Sequence, residues 1–278
     1  MLALSQIYHP ITGTPFHNDD TYCEISPCEA LKPYIRCFWG SRKPVEVTEI
    51  STENGIVIPD TCMDIIFHID HTQNIIDGHF CALDERSFLT SGAAMPGVTS
   101  TFAIRFYAWS AILFAENDLR GSKNNAFPIE EFFQSLKREV QPQLFEAATL
   151  ADRIAIAEKA LLKRLHPERM NDDLLNAVYY MIISSGRARI SDVCNYTSVS
   201  EKQLERIFSQ HMGVSPKSFS SLIRYQLLWQ ELAGSQCFDI LDAVERYGYT
   251  DQAHLLNDFR RRHLMTPREA VSFAAKRR

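Results

Sequence analysis

Hydrophobic and polar positions alternate in short runs over the first part of the chain, up to about Phe114. Five runs are rich in β-branched and aromatic residues, and Gly, Pro, Asn and Asp separate them: TYCEI, YIRCFWG, GIVIPD, MDIIFHID and STFAIRF. This composition is typical of β-strands bounded by turns. Several short strands at such spacing predict a β-sandwich or a small barrel.

The pattern becomes helical from about Pro128. The segments FPIEEFFQSLKREV and QLFEAATLADRIAIAEKALLKRL place apolar residues three and four positions apart, which predicts two amphipathic helices. The helical run ends at His166-Pro167, because a residue before proline is disfavoured in the α region. The fold class predicted is therefore α+β, with three parts: a β-rich sensor domain over 1–127, a helical linker that could hold a homodimer over 128–170, and a helical domain over 171–278.

The segment after Asn171 contains an internal repeat. ISDVCNYTSVSEKQLERIFSQHMGVSP runs from Ile190 to Pro216, and ILDAVERYGYTDQAHLLNDFRRRHLMTP runs from Ile240 to Pro267. Each copy predicts a short helix, a turn and a second helix. Two copies are too few for a repeat solenoid, so the pattern indicates a tandem pair of small helical units.

Capping residues fix the predicted ends of these helices. Ser200, Ser215 and Asp251 precede helices, and their side-chain oxygens can accept a hydrogen bond from a backbone N–H that has no other partner. Pro216 opens a helix that closes at Gly234. At 1.5 Å per residue this helix is a rigid spacer of about 27 Å, close to the separation of successive major grooves on one DNA face.

The second helix of such a unit can enter the major groove of DNA, where each base pair presents a distinct pattern of donors and acceptors. Arg206 is expected to contact guanine, and Gln252 or Asn257 is expected to contact adenine. Arginines 260–262 form a basic cluster suited to phosphates. The predicted DNA-binding residues are Ser200, Glu201, Lys202, Gln203, Glu205, Arg206, Asp251, Gln252, Ala253, His254, Asn257, Arg260 and Arg261.

Charge is spread unevenly along the 278 residues. The net charge is −5, yet from Asn171 onward 14 lysines and arginines outnumber 12 acidic residues. A mildly basic rear half behind an acidic front half fits a chain whose rear half meets phosphate.

The front half places polar side chains inside apolar strands. Such groups are either satisfied structural members, for example an ion pair between Asp64 and Arg105, or handles for a ligand. The candidate ligand-binding residues, should a pocket exist, are Trp39, Asp64, His68, Arg105 and Trp109.

Seven cysteines occur without a CxxC pair, so free thiols and a reducing compartment are expected. Two groups raise the alternative of a metal or redox site, although their spacings match no closed zinc pattern: Cys23, Cys28 and Cys37, and His68, His71 and His79 near Cys62 and Cys81. GxSxG, HExxH, P-loop and dinucleotide motifs are absent. No enzyme activity and no cofactor are therefore expected. A cupin-like metal enzyme and a protein-interaction module with a degenerate DNA-binding tail stay open as alternatives.

Residues 172–273 resemble the C-terminal domain of the AraC/XylS family of transcription regulators. Some positions depart from the family pattern: Cys194 and Val244 replace alanine, Ser198 and Leu264 replace glycine, and Asn257 replaces arginine. The residues that carry the resemblance are Ile190, Leu204, Arg206, Phe208, Gly213, Ser215-Pro216, Arg224, Ile240, Gly248-Tyr249, Asp251-Gln252, His254, Phe259-Arg260-Arg261 and Thr266-Pro267.

The front half resembles an N-terminal domain found in a subset of these regulators. The matching segments are 35–39, 59–67 and 104–106, whereas Ala108-Trp109 stands in place of the usual Pro-Gly. The chain is expected in the cytoplasm. The resemblance implies a regulator that binds double-stranded DNA, whose front half senses a small-molecule effector or forms a homodimer, and for which a contact with RNA polymerase is plausible. No apolar run approaches the length of a membrane span, so no membrane partner is expected.

Overall fold

A computed structural model describes residues 4–48, 55–90, 96–235 and 238–276. The front half is rich in strands and the rear half is helical, which confirms the predicted α+β class. The strands are β1 (Cys23–Ile25), β2 (Ile35–Gly40), β3 (Val45–Val47), β4 (Gly55–Val57), β5 (Cys62–Asp70), β6 (Ile75–Cys81), β7 (Phe88–Thr90), β8 (Gly97–Tyr107) and β9 (Ala126–Pro128). The helices are α1 (Leu4–Ile7), α2 (Glu130–Glu146), α3 (Leu150–Arg164), α4 (Asp172–Ile183), α5 (Ile190–Thr197), α6 (Glu201–Met212), α7 (Pro216–Gly234), α8 (Ile240–Arg246), α9 (Gln252–His263) and α10 (Pro267–Ala275).

The strands form one large antiparallel sheet and one small one. The large sheet has the order β1-β2-β8-β5-β6-β9, and β3 also pairs with β8. Strand β5 lies at its centre, where Asp64 pairs with Arg105 of β8 and with Cys81 of β6. Strands β4 and β7 form a separate two-stranded sheet, and the strands the structure describes do not close into a barrel.

The two faces of the large sheet differ because side chains alternate along each strand. On β5, Met63, Ile65 and Phe67 are fully buried. This face packs against α2 and α3, and Phe80 of β6 meets Phe133 of α2 with 4.9 Å between ring centroids. The opposite face carries the polar positions of β5 and forms the floor of a cavity.

The boundary between α2 and α3 differs from the prediction. The sequence placed the break before Gln143, yet α2 continues through Pro142 to Glu146. The chain leaves the helix at Ala147 because Thr149 caps α3 in a reciprocal capping box with Asp152. The apolar faces of both helices pack into the molecule.

The repeated units have the helix-turn-helix plan that the sequence predicts. Ser200 caps α6, Ser215 caps α7 and Asp251 caps α9, each by accepting a backbone N–H. The spacer helix α7 ends at Gly234, as predicted. None of the helices in the described ranges is both long and apolar enough to cross a membrane.

Candidate DNA interface and ligand cavity

The first unit buries one side of its second helix and exposes the other. Leu204 and Phe208 of α6 are fully buried, and Val193 of α5 lies in the same core. Lys202 and Arg206 are exposed. The hydrophobic period of the sequence therefore identifies the outward face of α6 correctly.

The second unit has the same arrangement, with one exception. Leu255 and Phe259 of α9 are buried, and the side chains predicted to contact DNA are exposed. Arg262 is not part of an exposed basic cluster, because its side chain is buried and reaches Ser221 Oγ at 2.7 Å and Asp258 Oδ1 at 3.4 Å. Across both units the exposed members of the predicted DNA-binding set are Ser200, Glu201, Lys202, Gln203, Glu205, Arg206, Asp251, Gln252, Ala253, His254, Asn257, Arg260 and Arg261.

A cavity of about 430 Å³ lies on the polar face of the large sheet. Trp39, Asp64, His68 and Arg105 all line it, so the sheet brings four of the five candidate ligand-binding residues together. Trp109 does not line the cavity. It lies on the chain beyond β8, is 1% exposed, and stacks on Tyr107 with 4.7 Å between ring centroids.

The cavity is also lined by polar and aromatic side chains that were not among the candidate ligand-binding residues. Asp60 lies in the Pro-Asp segment before β5, and Asp84 lies in the loop after β6. Tyr22 and His79 complete the polar and aromatic lining. Asp60 falls within the 59–67 segment that resembles a regulator domain, and His79 was selected only for the alternative metal or redox site.

Arg105 is the centre of an ion-pair network on the cavity floor. Its Nε donates to Asp64 Oδ1 at 3.0 Å, and its Nη1 lies 3.5 Å from Asp60 Oδ2 and 3.8 Å from Glu24 Oε1. Although burial opposes it, the carboxylates of Asp64 and Asp60 hold the pKa of Arg105 above its ordinary value. Trp39 Nε1 donates to Asp64 Oδ1 at 2.7 Å, which fixes the indole in the cavity wall.

Two carboxylic acids in the cavity titrate at unusually high pH. Burial raises the pKa of Asp60 to about 6, and Arg105 opposes this rise. Burial, followed by repulsion from Asp60 and Asp64, raises the pKa of Asp84 to about 6. The pKa of His68 is lowered by burial and by His79, whose ring stacks on it with 5.4 Å between centroids. In the described part of the chain, no three His, Cys, Asp or Glu side chains are arranged to hold a metal ion.

The wall of the cavity is bonded to the spacer helix α7. The Gln226 side chain donates to Pro59 O at 2.8 Å and to Ile11 O at 3.2 Å, and it accepts from Ile11 N at 2.9 Å. Trp229 Nε1 donates to Thr12 O at 2.9 Å. Thr12 and Pro59 themselves line the cavity, so its wall and the spacer helix share a hydrogen-bonded contact.

Two family models match the chain, one in each half. The model described as a helix-turn-helix domain matches residues 193–272. The model described as a domain of unknown function, DUF6597, matches residues 23–127. Among curated proteins, none matches the sequence.

Several solved structures of AraC-type regulators are similar to parts of the chain. One is a transcriptional regulator from Chromobacterium violaceum, 27% identical with a TM-score of 0.35, for which the match covers 37% of this chain and 93% of that one. ToxT from Vibrio cholerae with a bound unsaturated fatty acid is 11% identical with a TM-score of 0.41, covering 84% and 94% of the two chains. ToxT bound to (E)-4-(8-methylnaphthalen-1-yl)but-3-enoic acid is 14% identical with a TM-score of 0.42, covering 85% and 99%.

The two exposed recognition helices and the helix that spaces them define a DNA-binding protein with paired helix-turn-helix units. The chain carries an AraC-type helix-turn-helix domain at residues 193–272 behind a DUF6597 domain at residues 23–127, and it is a DNA-binding transcription regulator.

Proposed function

We propose that the cavity of the front half is an effector site, and that its occupancy changes how the second helix-turn-helix unit engages DNA. The observation that carries this proposal is the contact between the cavity wall and α7 through Gln226 and Trp229. A ligand that displaces Pro59 or Thr12 must break or stretch these buried hydrogen bonds. Each is worth about 1 kcal/mol, and more where a buried group loses its only partner.

The cavity wall also contributes to the core of the second unit. Ile56 of β4 and Ile58 pack in one hydrophobic cluster with Trp229, Leu255 and Phe259. Ile56 and Ile58 line the cavity as well. Because a packed cluster responds to displacement as a unit, a shift of β4 is expected to reach α9.

For DNA, the proposal assigns base contacts to the two recognition helices. Arg206 of α6 is assigned to guanine, and Gln252 and Asn257 of α9 are assigned to adenine edges. Arg260 and Arg261 hold the register by contacting phosphates. The exposure of these side chains supports the assignment.

DNA binding itself is tested by fluorescence anisotropy of the full chain with its own upstream DNA at several salt concentrations. We expect a nanomolar dissociation constant. The logarithm of the association constant should fall linearly with the logarithm of the salt concentration, because phosphate contacts release counterions. Absent or salt-independent binding would contradict the proposal and would favour the alternative of a protein-interaction module.

The coupling is tested with Gln226→Met, which keeps the volume of the side chain and removes its bonds to the cavity wall. DNase footprinting should show altered protection at the half-site of the second unit, with an affinity change of about 3- to 10-fold, and unchanged protection at the first. The matched control is Gln230→Met, one turn further along α7, where the Nε2 atom has no hydrogen-bond partner among the residues that the structure describes. Equal effects at both half-sites would refute the coupling.

A homodimer and a contact with RNA polymerase stay predictions. The apolar faces of α2 and α3, which the sequence offered for a dimer, pack mainly against each other and the sheet. Leu162 of α3 stays 45% exposed. Analytical ultracentrifugation of the full chain with and without operator DNA measures the oligomeric state directly.

A further inference from the structure

Acidic side chains outnumber lysine and arginine side chains in the lining of the cavity. Three carboxylates, those of Asp60, Asp64 and Asp84, line it, whereas Arg105 is the single lysine or arginine among the described lining residues. Glu24 adds a fourth carboxylate within 3.8 Å of Arg105. The cavity is therefore an acidic site with an excess of negative charge.

Arg105 is already paired with carboxylates of the protein. Its Nε and Nη1 atoms already meet Asp64, Asp60 and Glu24, and its guanidinium carbon lies 5.6 Å from the centre of the Trp39 ring. A carboxylate ligand at this guanidinium would lie beside at least two of these three carboxylates. Like charges placed side by side in a partly buried site repel each other, so an anion is disfavoured.

Asp84, in contrast, has no cationic partner. Within the described ranges its side chain makes no hydrogen bond or ion pair, and it is partly buried next to Asp60 and Asp64. A partly buried carboxylate without a partner is costly for the folded protein, and a bound cation would remove that cost.

The remaining walls are apolar and aromatic. Tyr22 and Trp39 lie with 5.5 Å between ring centroids, and Phe88 of β7 faces the cavity from the small sheet. Aromatic faces attract organic cations through the ring quadrupole. They also pack against an apolar ligand body.

We propose that the cavity binds an organic cation, an amine or a guanidine on an apolar or aromatic body, with its charge beside Asp84 and Asp60 and its body against Trp39 and Phe88. This assignment rests on the proposal that the cavity is an effector site, and it adds the chemical class of the effector.

The test compares matched ligands that differ only in charge, at pH 8, by isothermal titration calorimetry on the full chain. Three bodies are used, each as amine, alcohol and carboxylate: tryptamine, tryptophol and indole-3-propionate, then the corresponding phenyl and octyl series. We expect at least one amine to bind at least about tenfold more tightly than its alcohol, since a charged hydrogen bond contributes about 1.5–3 kcal/mol. The carboxylates should not bind.

Two substitutions sharpen the result. Asp84→Asn should weaken amine binding at least about tenfold and leave alcohol binding unchanged, because it removes charge but keeps shape. Glu46→Gln is the control: it removes one negative charge from an exposed position on β3 that does not line the cavity, and it should not affect binding.

Failure of this assignment is distinguishable from failure of the effector site. A preferred alcohol or carboxylate, equal binding of amine and alcohol, or no binding by any amine overturns the cationic ligand. If an alcohol or a carboxylate binds and shifts the footprint of the second half-site, the effector site stands although the cation does not. If an amine binds as expected but leaves the footprint unchanged, the ligand class stands and the regulatory coupling does not.

Discussion

The two helix-turn-helix units share one plan but are attached to the front half in different ways. The first unit belongs to the same hydrophobic core as the front half, and Leu119 N donates to Gln210 O of α6 at 2.9 Å. The second unit has its own core, which it shares with Ile56 and Ile58 from the cavity wall. The first unit is therefore fixed by backbone contact to the body of the front half, whereas the second packs against the part of the front half that lines the cavity.

The units also exchange the residues at their two left-handed positions. In the first unit Ser198 occupies the turn, at φ 57°, and Gly213 ends α6, at φ 73°. In the second unit Gly248 occupies the turn, at φ 65°, and Leu264 ends α9, at φ 59°. Each unit thus has a glycine at one of its two left-handed positions, where a positive φ favours glycine. At the other position it has a residue with a side chain, whose backbone is strained by the positive φ. The same substitutions should have different effects in the two units.

The largest expected effect is at the contact between the first unit and the front half. A Cβ added at Gly213 would lie 2.7 Å from Leu119 O, so Gly213→Ala adds a backbone clash to an unfavourable φ. We expect the free energy of unfolding to fall by about 2–4 kcal/mol. Gly248→Ala should cost only about 1–2 kcal/mol, since a Cβ there meets the movable Arg187 side chain.

Urea unfolding followed by circular dichroism measures both changes. Gly234→Ala at the end of α7 is the control, because a Cβ there meets no atom of the described residues within 4 Å. Equal losses for Gly213→Ala and Gly248→Ala would show that the close approach to Leu119 is unimportant.

The next effect concerns the DNA-facing side chains of the two units. Arg206→Ala should weaken binding to the operator by about 1–3 kcal/mol and relax the preference at one base pair. Arg261→Ala should weaken binding to all DNA sequences to a similar extent, because a phosphate contact carries no sequence information. It should also reduce the slope of the logarithm of the association constant against the logarithm of the salt concentration by about one. Anisotropy titrations with operator and random DNA separate the two cases. An Arg206→Ala protein that binds its operator as tightly as the parent would refute the base contact.

Much of the helical half could be predicted from the sequence because its signals are local. The caps at Ser200, Ser215 and Asp251 and the buried positions Leu204 and Phe259 follow from spacing alone. The burial of Arg262 could not be predicted in this way. It depends on Ser221, which lies on α7 and is 41 residues away in sequence.

The cavity was predictable only in part, because some of its lining depends on contacts between residues that are distant in sequence. Asp64, His68 and Arg105 could be selected because a polar residue inside an apolar strand is a local anomaly. Asp84 lies in a loop, where acidic residues are common, and only the fold places it beside Asp60. Trp109 was a reasonable candidate by composition, yet its stacking on Tyr107 takes it into the core.

A third prediction uses His263, a fully buried histidine of the second unit. His263 lies at the position that Met212 occupies in the first unit, and its Nδ1 lies 2.8 Å from Tyr225 Oη. Its Nε2 has no hydrogen-bond partner within the described part of the chain. Burial lowers the pKa of His263 to about 3. The folded state therefore holds fewer protons than the unfolded state, and stability should fall as the pH drops below about 6.5.

His263→Met should remove this dependence. The difference in unfolding free energy between the variant and the parent should change by about 2 kcal/mol between pH 7.5 and pH 5, at about 1.4 kcal/mol per pH unit below 6.5. Other titrating groups, including Asp60 and Asp84, are common to both proteins and cancel. Urea unfolding at the two pH values measures the difference, with the exposed His166→Gln as control. A difference that does not change with pH would mean that His263 is protonated in the folded protein.

The smallest effect is expected at the two strained positions. Leu264→Gly and Ser198→Gly should each raise the free energy of unfolding by about 0.5–1 kcal/mol, because the relief of a left-handed conformation exceeds the added entropy of the unfolded chain. The free energy of unfolding should rise more for Leu264→Gly, since the Leu264 side chain is 51% exposed and its removal loses little packing. The same substitution at the helical Leu241, which is 66% exposed, should instead cost about 1 kcal/mol. If Leu264→Gly destabilises the protein as Leu241→Gly does, the packing of the Leu264 side chain outweighs the strain of its backbone. The exchange of glycines between the two units would then reflect side-chain contacts rather than backbone conformation.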